Sequence, residues 1–197
     1  MNDPRPLYER AAAQFTALLE SVTPDRLGDP TPCAEFDIRA LLTHSVDGLH
    51  LMAHIGEGGD WRTAPPRHSA ATADNAWNTA YEDAHQRFTK AWSADELLGR
   101  TVSAPWGATM PGAALFSFCV LETVVHGWDL HRALGRPLTL DAALAEAIWP
   151  VARDELPASP RGGPVPFGEV RPAPGGAGPY TRLAAWLGRE AGAPPHD

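Results

Sequence analysis

The sequence predicts an all-α fold, a bundle of four long helices with short additional helices towards the C-terminus. Four long segments carry apolar residues at helical spacing. No strand pattern competes, because residues 101–103 are too few and residues 165–170 are interrupted by proline and glycine. The length of 197 residues suits one domain that spans residues 1–197 and buries a sizeable core.

The first helix is predicted to begin at Asp3, a suitable N-cap residue, with Pro4 in the first helical position. Pro24 lies beyond its end. One face of this helix is apolar and comprises Tyr8, Ala11, Phe15, Leu18, Leu19 and Val22.

The second helix is predicted from Ile38 to about Ile55, with Asp37 as its cap and Gly56 at its end. Its apolar face comprises Leu41, Gly48, Leu51, Met52 and Ile55. One imidazole, that of His44, lies in the middle of this face. A lone histidine in such a position is usually a hydrogen-bonded core residue, so its role depends on what it meets.

A third helix is expected over residues 72–92, with Trp77, Tyr81, Ala84, Phe88 and Trp92 on its inner side. Residues 93–96 form a capping-box pattern that indicates a short helix. The fourth long helix follows the pair Pro111-Gly112 and ends near Gly135.

After this helix, Thr139 or Asp141 can open another helix that stops at Pro157. Residues 157–179 are rich in proline and glycine and predict an irregular loop, which could close over a site as a lid. A short helix is expected over residues 179–188, and residues 190–197 form a tail.

The fourth long helix carries the most informative residues of the chain. Its inward face is apolar except for three ionisable side chains, Glu122, His126 and Asp129. A buried carboxylate beside an imidazole is costly unless a partner satisfies it. Because Glu122 and His126 are four residues apart, their side chains meet at one point, where a divalent metal would satisfy both. The alternative is a salt-bridged surface pair or a satisfied core pair.

His44 supplies the third ligand that a metal at Glu122 and His126 would need. Two histidines and one carboxylate leave coordination positions open, as catalytic sites do. Zinc fits this set, and so do iron, nickel and manganese. Asp129 is predicted to orient a ligand or else to accept a hydrogen bond from the backbone or from Arg39. Asp47 is predicted as a proton acceptor at the same cavity, with a solvated position as the alternative.

Composition excludes several classes of function. The formal charge of −8 and the absence of a basic run argue against a nucleic-acid partner. No stretch approaches the about 20 apolar residues of a membrane span, and the N-terminus lacks a signal-peptide pattern, so we expect a cytoplasmic protein. Cys33 and Cys119 have no metal-binding spacing and are expected to be small buried residues.

Two segments resemble a known family. Residues 31–44, TPCAEFDIRALLTH, are similar to the T-P-C-x-x-W-x-V-R-x-L-x-x-H opening of the DinB-like metal-binding proteins related to mycothiol-dependent maleylpyruvate isomerase. Residues 122–130, ETVVHGWDL, are similar to the E-x-x-x-H-x-W-D-L segment of that family. Residues 105–107, 166–168 and 182–189 add to a likeness that runs from about residue 7 to residue 190. Phe36 replaces the usual tryptophan.

The resemblance implies a DinB-like four-helix bundle, frequently a homodimer, with zinc or another divalent metal held by His44, Glu122 and His126. It also implies a small-molecule substrate and a low-molecular-weight thiol, similar to mycothiol, as co-substrate. The reaction would be a thiol transfer, an addition or an isomerisation, with Asp47 and Asp129 as the candidate catalytic residues. The isomerase has a further C-terminal domain, which we expect this chain not to supply. The alternatives are a non-catalytic metal- and ligand-binding module and a metal-free helical domain.

Overall fold

The structure is a computed structural model that describes residues 3–66, 69, 72–135, 139–161 and 167–191. Its helices are α1 (Arg5–Leu19), α2 (Ile38–Gly56), α3 (Trp77–Ala91), α4 (Asp95–Gly99), α5 (Gly112–Leu134), α6 (Ala142–Glu155) and α7 (Pro179–Trp186). Two short 3-10 helices cover Pro24–Arg26 and Trp61–Thr63. Strands β1 (Thr101–Ser103) and β2 (Thr109–Pro111) form one antiparallel hairpin. The predicted all-α fold is confirmed.

Helix α5 is the central element of the bundle. It packs against α1, α2, α6 and α7, while α2 packs along α3. Two polar side chains on its buried surface bond back to their own helix: the Ser117 hydroxyl donates to the Ala113 carbonyl at 2.8 Å and the Thr123 hydroxyl to the Cys119 carbonyl at 2.9 Å. An almost wholly buried helix therefore leaves few polar groups unsatisfied.

One end of the core is aromatic and joins α1, α3 and α5. The Phe116 ring lies 4.8 Å from Phe88 and 5.5 Å from Tyr8, and the Trp92 ring packs edge-on at 6.0 Å. All four side chains are buried. This cluster fixes how α5 lies against α1 and α3, and α5 carries two of the three candidate ligands.

Several predicted helix ends are confirmed by their hydrogen bonds. Asp37 caps α2 by accepting from the Ala40 N–H at 2.7 Å, and Asp141 caps α6 by accepting from the Ala143 N–H at 3.0 Å. Gly135 ends α5 with a φ of 60°, in the left-handed region that favours glycine. The expected start of α1 is corrected by one position, because Pro4 rather than Asp3 occupies the N-cap, although the Asp3 carboxylate accepts from the Arg5 N–H at 3.0 Å.

Three expectations about local structure are corrected. Helix α3 begins at Trp77 rather than at residue 72, because the preceding chain forms a turn in which Ala76 N–H donates to the Ala73 carbonyl. The capping box at residues 93–96 does not form, since the Ser93 hydroxyl donates instead to the Lys90 carbonyl at 2.9 Å. Residues 101–103 do form a strand, because the hairpin pairs them with residues 109–111.

The expectation that no segment is apolar enough to cross a membrane was wrong as stated. Among the described residues, α5 is long and apolar enough by length and composition alone. Of its most apolar stretch, 83% is buried inside the bundle, which is the pattern of a core helix. Its apolar character therefore reflects its central position in the fold.

The proline- and glycine-rich segment lies partly outside the described residues. Residues 162–166 of the predicted loop and residues 192–197 of the predicted tail are not described, and the lid role remains a prediction. The described part has no helix or strand between Glu155 and Pro179. Phe167 within it is buried and lines the cavity described below.

Candidate metal centre

The structure brings His44, Glu122 and His126 together where α2 crosses α5. The Glu122 Oε2 atom lies 3.0 Å from His44 Nε2 and 3.4 Å from His126 Nε2. One ligand atom from each residue falls within 4.8 Å of the others. The two imidazole centroids are 4.9 Å apart and nearly perpendicular, at 76°. The three predicted ligands therefore share one point, although they come from two helices.

These separations fit ligands of a single small cation. Donor atoms about 2.0–2.2 Å from one ion lie about 3 Å from each other in tetrahedral or octahedral coordination. The two separations from Glu122 Oε2 have this size. The donor set also matches, because imidazole nitrogen and carboxylate oxygen suit zinc, iron, nickel and manganese.

The unpaired oxygen of Glu122 carries the strongest indication of an ion. Its Oε1 atom is buried and has no hydrogen-bond partner among the described residues. An unsatisfied carboxylate oxygen in a protein interior is costly. If the three residues merely satisfied one another, this oxygen would still lack a partner, whereas a cation would use it.

The orientation of His126 is compatible with a role as a metal ligand. Its Nδ1 atom lies 3.0 Å from Asp129 Oδ2, so the ring donates its Nδ1 hydrogen to that carboxylate. In the neutral ring, Nε2 then presents a lone pair towards Glu122 Oε2 at 3.4 Å. Two acceptors face each other at this distance only if a proton or another cation lies between them.

The pKa values of His126 and Glu122 are both shifted by the charged groups around them. Burial alone would lower the pKa of His126, but its hydrogen bonds to Asp129 and Glu122 outweigh burial and raise the pKa to about 9. Burial alone would raise the pKa of Glu122, yet the hydrogen bonds with His126 and His44 hold that pKa well below its usual range. The ion-free site therefore binds positive charge readily.

Asp129 lies behind His126, away from the shared ligand point. It is fully buried, and besides His126 it accepts from Arg189 Nη2 at 2.8 Å and Arg189 Nε at 3.2 Å. Arg39, the alternative partner considered from the sequence, instead pairs with Asp74 at 2.7 Å. The contacts of Asp129 favour the orienting role, and its predicted catalytic role remains a prediction.

Arg189 is the residue of this site that the sequence analysis did not single out. It is buried, lies 60 positions after Asp129, and also donates to the Leu187 carbonyl at 3.0 Å. The signal in the sequence was a charged residue directly after a glycine. In the structure this glycine, Gly188, has a φ of 84°. A Cβ at Gly188 would lie 2.7 Å from the backbone of Gly168, so glycine lets these two segments touch.

A cavity of about 920 Å³ opens onto the three candidate ligands. Its walls near them are aromatic: the Phe36 ring lies 5.2 Å from the ring of His44 and 5.9 Å from that of His126. Further out, Trp106 packs on Phe118 at 4.7 Å and is the one large apolar side chain that is exposed among the described residues, at 44%. The cavity is large enough for a drug-sized molecule beside the ligand point.

Asp47, predicted as a proton acceptor, lines the same cavity. Its Oδ1 atom accepts from the Ser69 N–H at 3.0 Å, and its Oδ2 atom is buried without a partner among the described residues. Its position is therefore on the cavity wall rather than on a solvated flank. Its catalytic role remains a prediction.

The cysteines and the other histidines contribute no further candidate ligand group within the described part of the chain. Cys33 and Cys119 are free thiols that line the cavity; Cys119 is buried as expected, Cys33 is only half-buried, and burial raises the pKa of both. His54 contacts the Asp60 carbonyl, and His85 contacts Tyr8 and Glu9. His68 and His196 lie outside the described residues.

Comparison with known proteins identifies the family. Residues 8–131 match the mycothiol maleylpyruvate isomerase N-terminal domain, and this range includes all three candidate ligands. The chain belongs to this family. The resemblance to DinB-like proteins related to the isomerase is thereby confirmed.

Relatives of the same size occur in Mycobacterium tuberculosis. Two proteins, one from strain CDC 1551 / Oshkosh and one from strain ATCC 25618 / H37Rv, are each 34% identical over 190 residues. The match covers 95% of this chain and 98% of each relative. Both relatives are described as uncharacterised, so they support the family and add no activity.

The family fold is also found in solved structures of mycothiol-dependent maleylpyruvate isomerase. A histidine-to-alanine mutant of that enzyme aligns with a TM-score of 0.62 at 14% identity, and the enzyme itself with 0.60 at 17%. Each alignment covers 76% of this chain and 66% of the isomerase. At such identities the likeness shows the fold, and about a third of the isomerase has no counterpart in the alignment.

Proposed function

We propose that this protein is a divalent-metal-dependent enzyme that acts on a small molecule with the help of a low-molecular-weight thiol. The observation that carries the proposal is the buried, unpaired oxygen of Glu122 beside two imidazoles on the wall of a large cavity. Membership of a family named for a mycothiol isomerase supports the thiol.

His44, Glu122 and His126 would hold the ion, with zinc as the first candidate and nickel, iron and manganese as alternatives. A bound divalent ion supplies Lewis acidity, which lowers the pKa of a thiol or of water so that a nucleophile is available at neutral pH. Asp129 and Arg189 keep the His126 ring oriented through the 3.0 Å and 2.8 Å hydrogen bonds. Phe36 excludes water from one side of the ligand point.

Asp47 would accept the proton that the nucleophile loses. It faces the cavity three residues after His44, with one carboxylate oxygen held by Ser69 and the other unpaired. Asp129 has less access to a substrate, because it is fully buried and engaged with His126 and Arg189. Transfer, addition or isomerisation through the thiol all fit this arrangement.

We do not propose maleylpyruvate as the electrophile. The chain aligns with 66% of the length of that isomerase at 14% identity, so the substrate of the isomerase is not carried over to this chain. The second candidate function is a non-catalytic metal- and ligand-binding module, in which His44, Glu122 and His126 hold an ion beside the cavity without turnover. An intact thiol-binding site without turnover of any electrophile would support the module.

We also propose that the protein acts in the cytoplasm, which its two free cysteines support. A homodimer is a further expectation from the family resemblance, and sedimentation equilibrium of the full chain would test it.

The proposed function is tested with metal-loaded protein, a thiol such as N-acetylcysteine, and an electrophilic alkene such as a maleate ester. We expect metal-dependent consumption or isomerisation of the alkene that needs the thiol. The His44→Ala variant should lose both metal and turnover, whereas Asp47→Asn should keep the metal and lose turnover. Turnover that survives full removal of the metal would contradict the proposal.

A further inference from the structure

The cavity has a second polar region besides the candidate metal ligands. Asp47 lies on α2 three residues beyond His44, about 4.5 Å further along the helix axis. Trp61, in the short 3-10 helix that follows α2, lines the same cavity. The same cavity lining includes the apolar side chains of Leu51, Met52 and Pro65.

Each of these two residues presents one unpaired polar atom. The Oδ2 atom of Asp47 and the Nε1 atom of Trp61 are buried and have no hydrogen-bond partner in the described part of the chain. A buried polar group without a partner is destabilising, and such groups in native proteins call for an explanation. One is an acceptor and the other is a donor.

Both groups are held in place by contacts outside the cavity. The Ser69 N–H donates to Asp47 Oδ1 at 3.0 Å, which leaves Oδ2 as the free oxygen. The Arg62 guanidinium lies over the Trp61 ring, 4.6 Å from its centroid. A site whose donor and acceptor are already positioned binds a ligand at lower entropic cost.

We propose that Asp47 and Trp61 form a subsite for a neutral hydroxyl group of the small molecule whose thiol end lies at His44, Glu122 and His126. This inference rests on the proposed function. A hydroxyl both donates and accepts, so it pairs with the carboxylate and with the indole N–H together. An ammonium group only donates, and would leave Trp61 Nε1 unpaired. The subsite therefore selects thiols that carry hydroxyl groups a few bonds from sulfur.

Three small thiols of similar length test this selection on the zinc-loaded full chain. They are propane-1-thiol, 3-mercaptopropane-1,2-diol and 2-aminoethanethiol, and calorimetry gives their dissociation constants. We expect the diol to bind about tenfold more tightly than propane-1-thiol, because two hydrogen bonds to buried groups are gained. The Trp61 indole resonance, followed by 15N NMR and assigned with Trp61→Phe, should shift with the diol.

The variants separate the two contacts. Trp61→Phe retains a ring without the N–H, and Asp47→Asn removes the charge, so each should reduce the preference for the diol about threefold or more. Trp61→Phe should leave the affinity for propane-1-thiol unchanged. The matched control is Trp77→Phe, because Trp77 Nε1 is also buried and unpaired but lies outside the cavity lining. This control should keep the full preference for the diol.

Two results with wild-type protein would overturn the subsite. One is equal affinity for propane-1-thiol and the diol. The other is tighter binding of 2-aminoethanethiol that Trp61→Phe does not change, which indicates a cation site at Asp47. If no thiol binds, the proposed function fails. The subsite is then tested separately with propane-1,2-diol, which has the hydroxyl groups but no thiol. A shift of the Trp61 resonance with this diol supports it, and an unchanged resonance overturns it.

Discussion

His126 and Asp129 lie one helical turn apart on α5, and the 3.0 Å hydrogen bond between Nδ1 and Oδ2 determines which ring nitrogen faces the cavity. Because Asp129 is buried and also bound to Arg189, it has little freedom to turn away. The second nitrogen of His126 is therefore presented towards Glu122 and His44 before any ligand arrives.

Replacing Asp129 with asparagine should weaken metal affinity about 10–100-fold, the usual effect of losing a carboxylate behind a histidine ligand. The amide keeps the shape of the side chain but loses the charge that favours the Nδ1–H form of the ring. Titration against a competing chelator measures the change. Asp83→Asn is the matched control, because Asp83 is exposed on α3. Equal affinity of the two variants would refute the orienting role.

Gly188→Ala should lower the free energy of unfolding by about 1–3 kcal/mol, the cost of a strained backbone position. Gly188 has a φ of 84°, and an added Cβ would approach the Gly168 backbone to 2.7 Å. Urea denaturation measures the loss. The control is Gly99→Ala, because a Cβ at Gly99 meets nothing within 4 Å. If Gly188→Ala is as stable as wild type, the close packing of these segments is not required.

The sequence predicted the three candidate ligands because each is an ionisable residue on an otherwise apolar helix face. Helical periodicity places Glu122 and His126 on the same side of α5. Because this side is expected to be buried, the carboxylate on it needs a partner. The sequence also identified His44, because an imidazole on an otherwise apolar helix face needs a partner. Which two faces meet depends on packing, and the family resemblance supplied that step.

Arg189 could not be found in the same way. Its partner, Asp129, is 60 residues earlier, and the proline- and glycine-rich residues 157–179 between them have no periodic pattern that fixes the path of the chain. The late start of α3 at Trp77 and the missing capping box at residues 93–96 have a different, local origin. At helix ends, a single competing hydrogen bond decides the local conformation, as the bond from Ser93 to Lys90 does.

Removal of the metal should lower the unfolding temperature of the wild-type protein. An ion that binds only the folded state stabilises it by about 2.7 kcal/mol when its free concentration is 100 times the dissociation constant. Glu122→Gln should bind little metal, so adding a chelator should leave its unfolding temperature unchanged. Differential scanning calorimetry with and without chelator provides the comparison. A chelator effect of equal size in both proteins would rule out Glu122 as a ligand.

Phe116→Ala should lower the free energy of unfolding by about 3–5 kcal/mol, because it removes a large buried ring and leaves a cavity. The ring contacts Tyr8, Phe88 and Trp92 but none of the candidate ligands. Metal affinity of the folded variant, measured below its unfolding temperature, should match that of wild type. A large loss of affinity would mean that the aromatic end of the core also sets the geometry of the ligand site.

The most direct test of the metal centre is X-ray absorption of zinc-loaded protein, with zinc per chain measured on the same sample. We expect one zinc per chain, bound by two imidazoles and one carboxylate at about 2.0–2.2 Å. In the His44→Ala variant, one imidazole should disappear from the spectrum. Protein that retains no zinc after dialysis, or a zinc environment that His44→Ala leaves unchanged, would contradict the account.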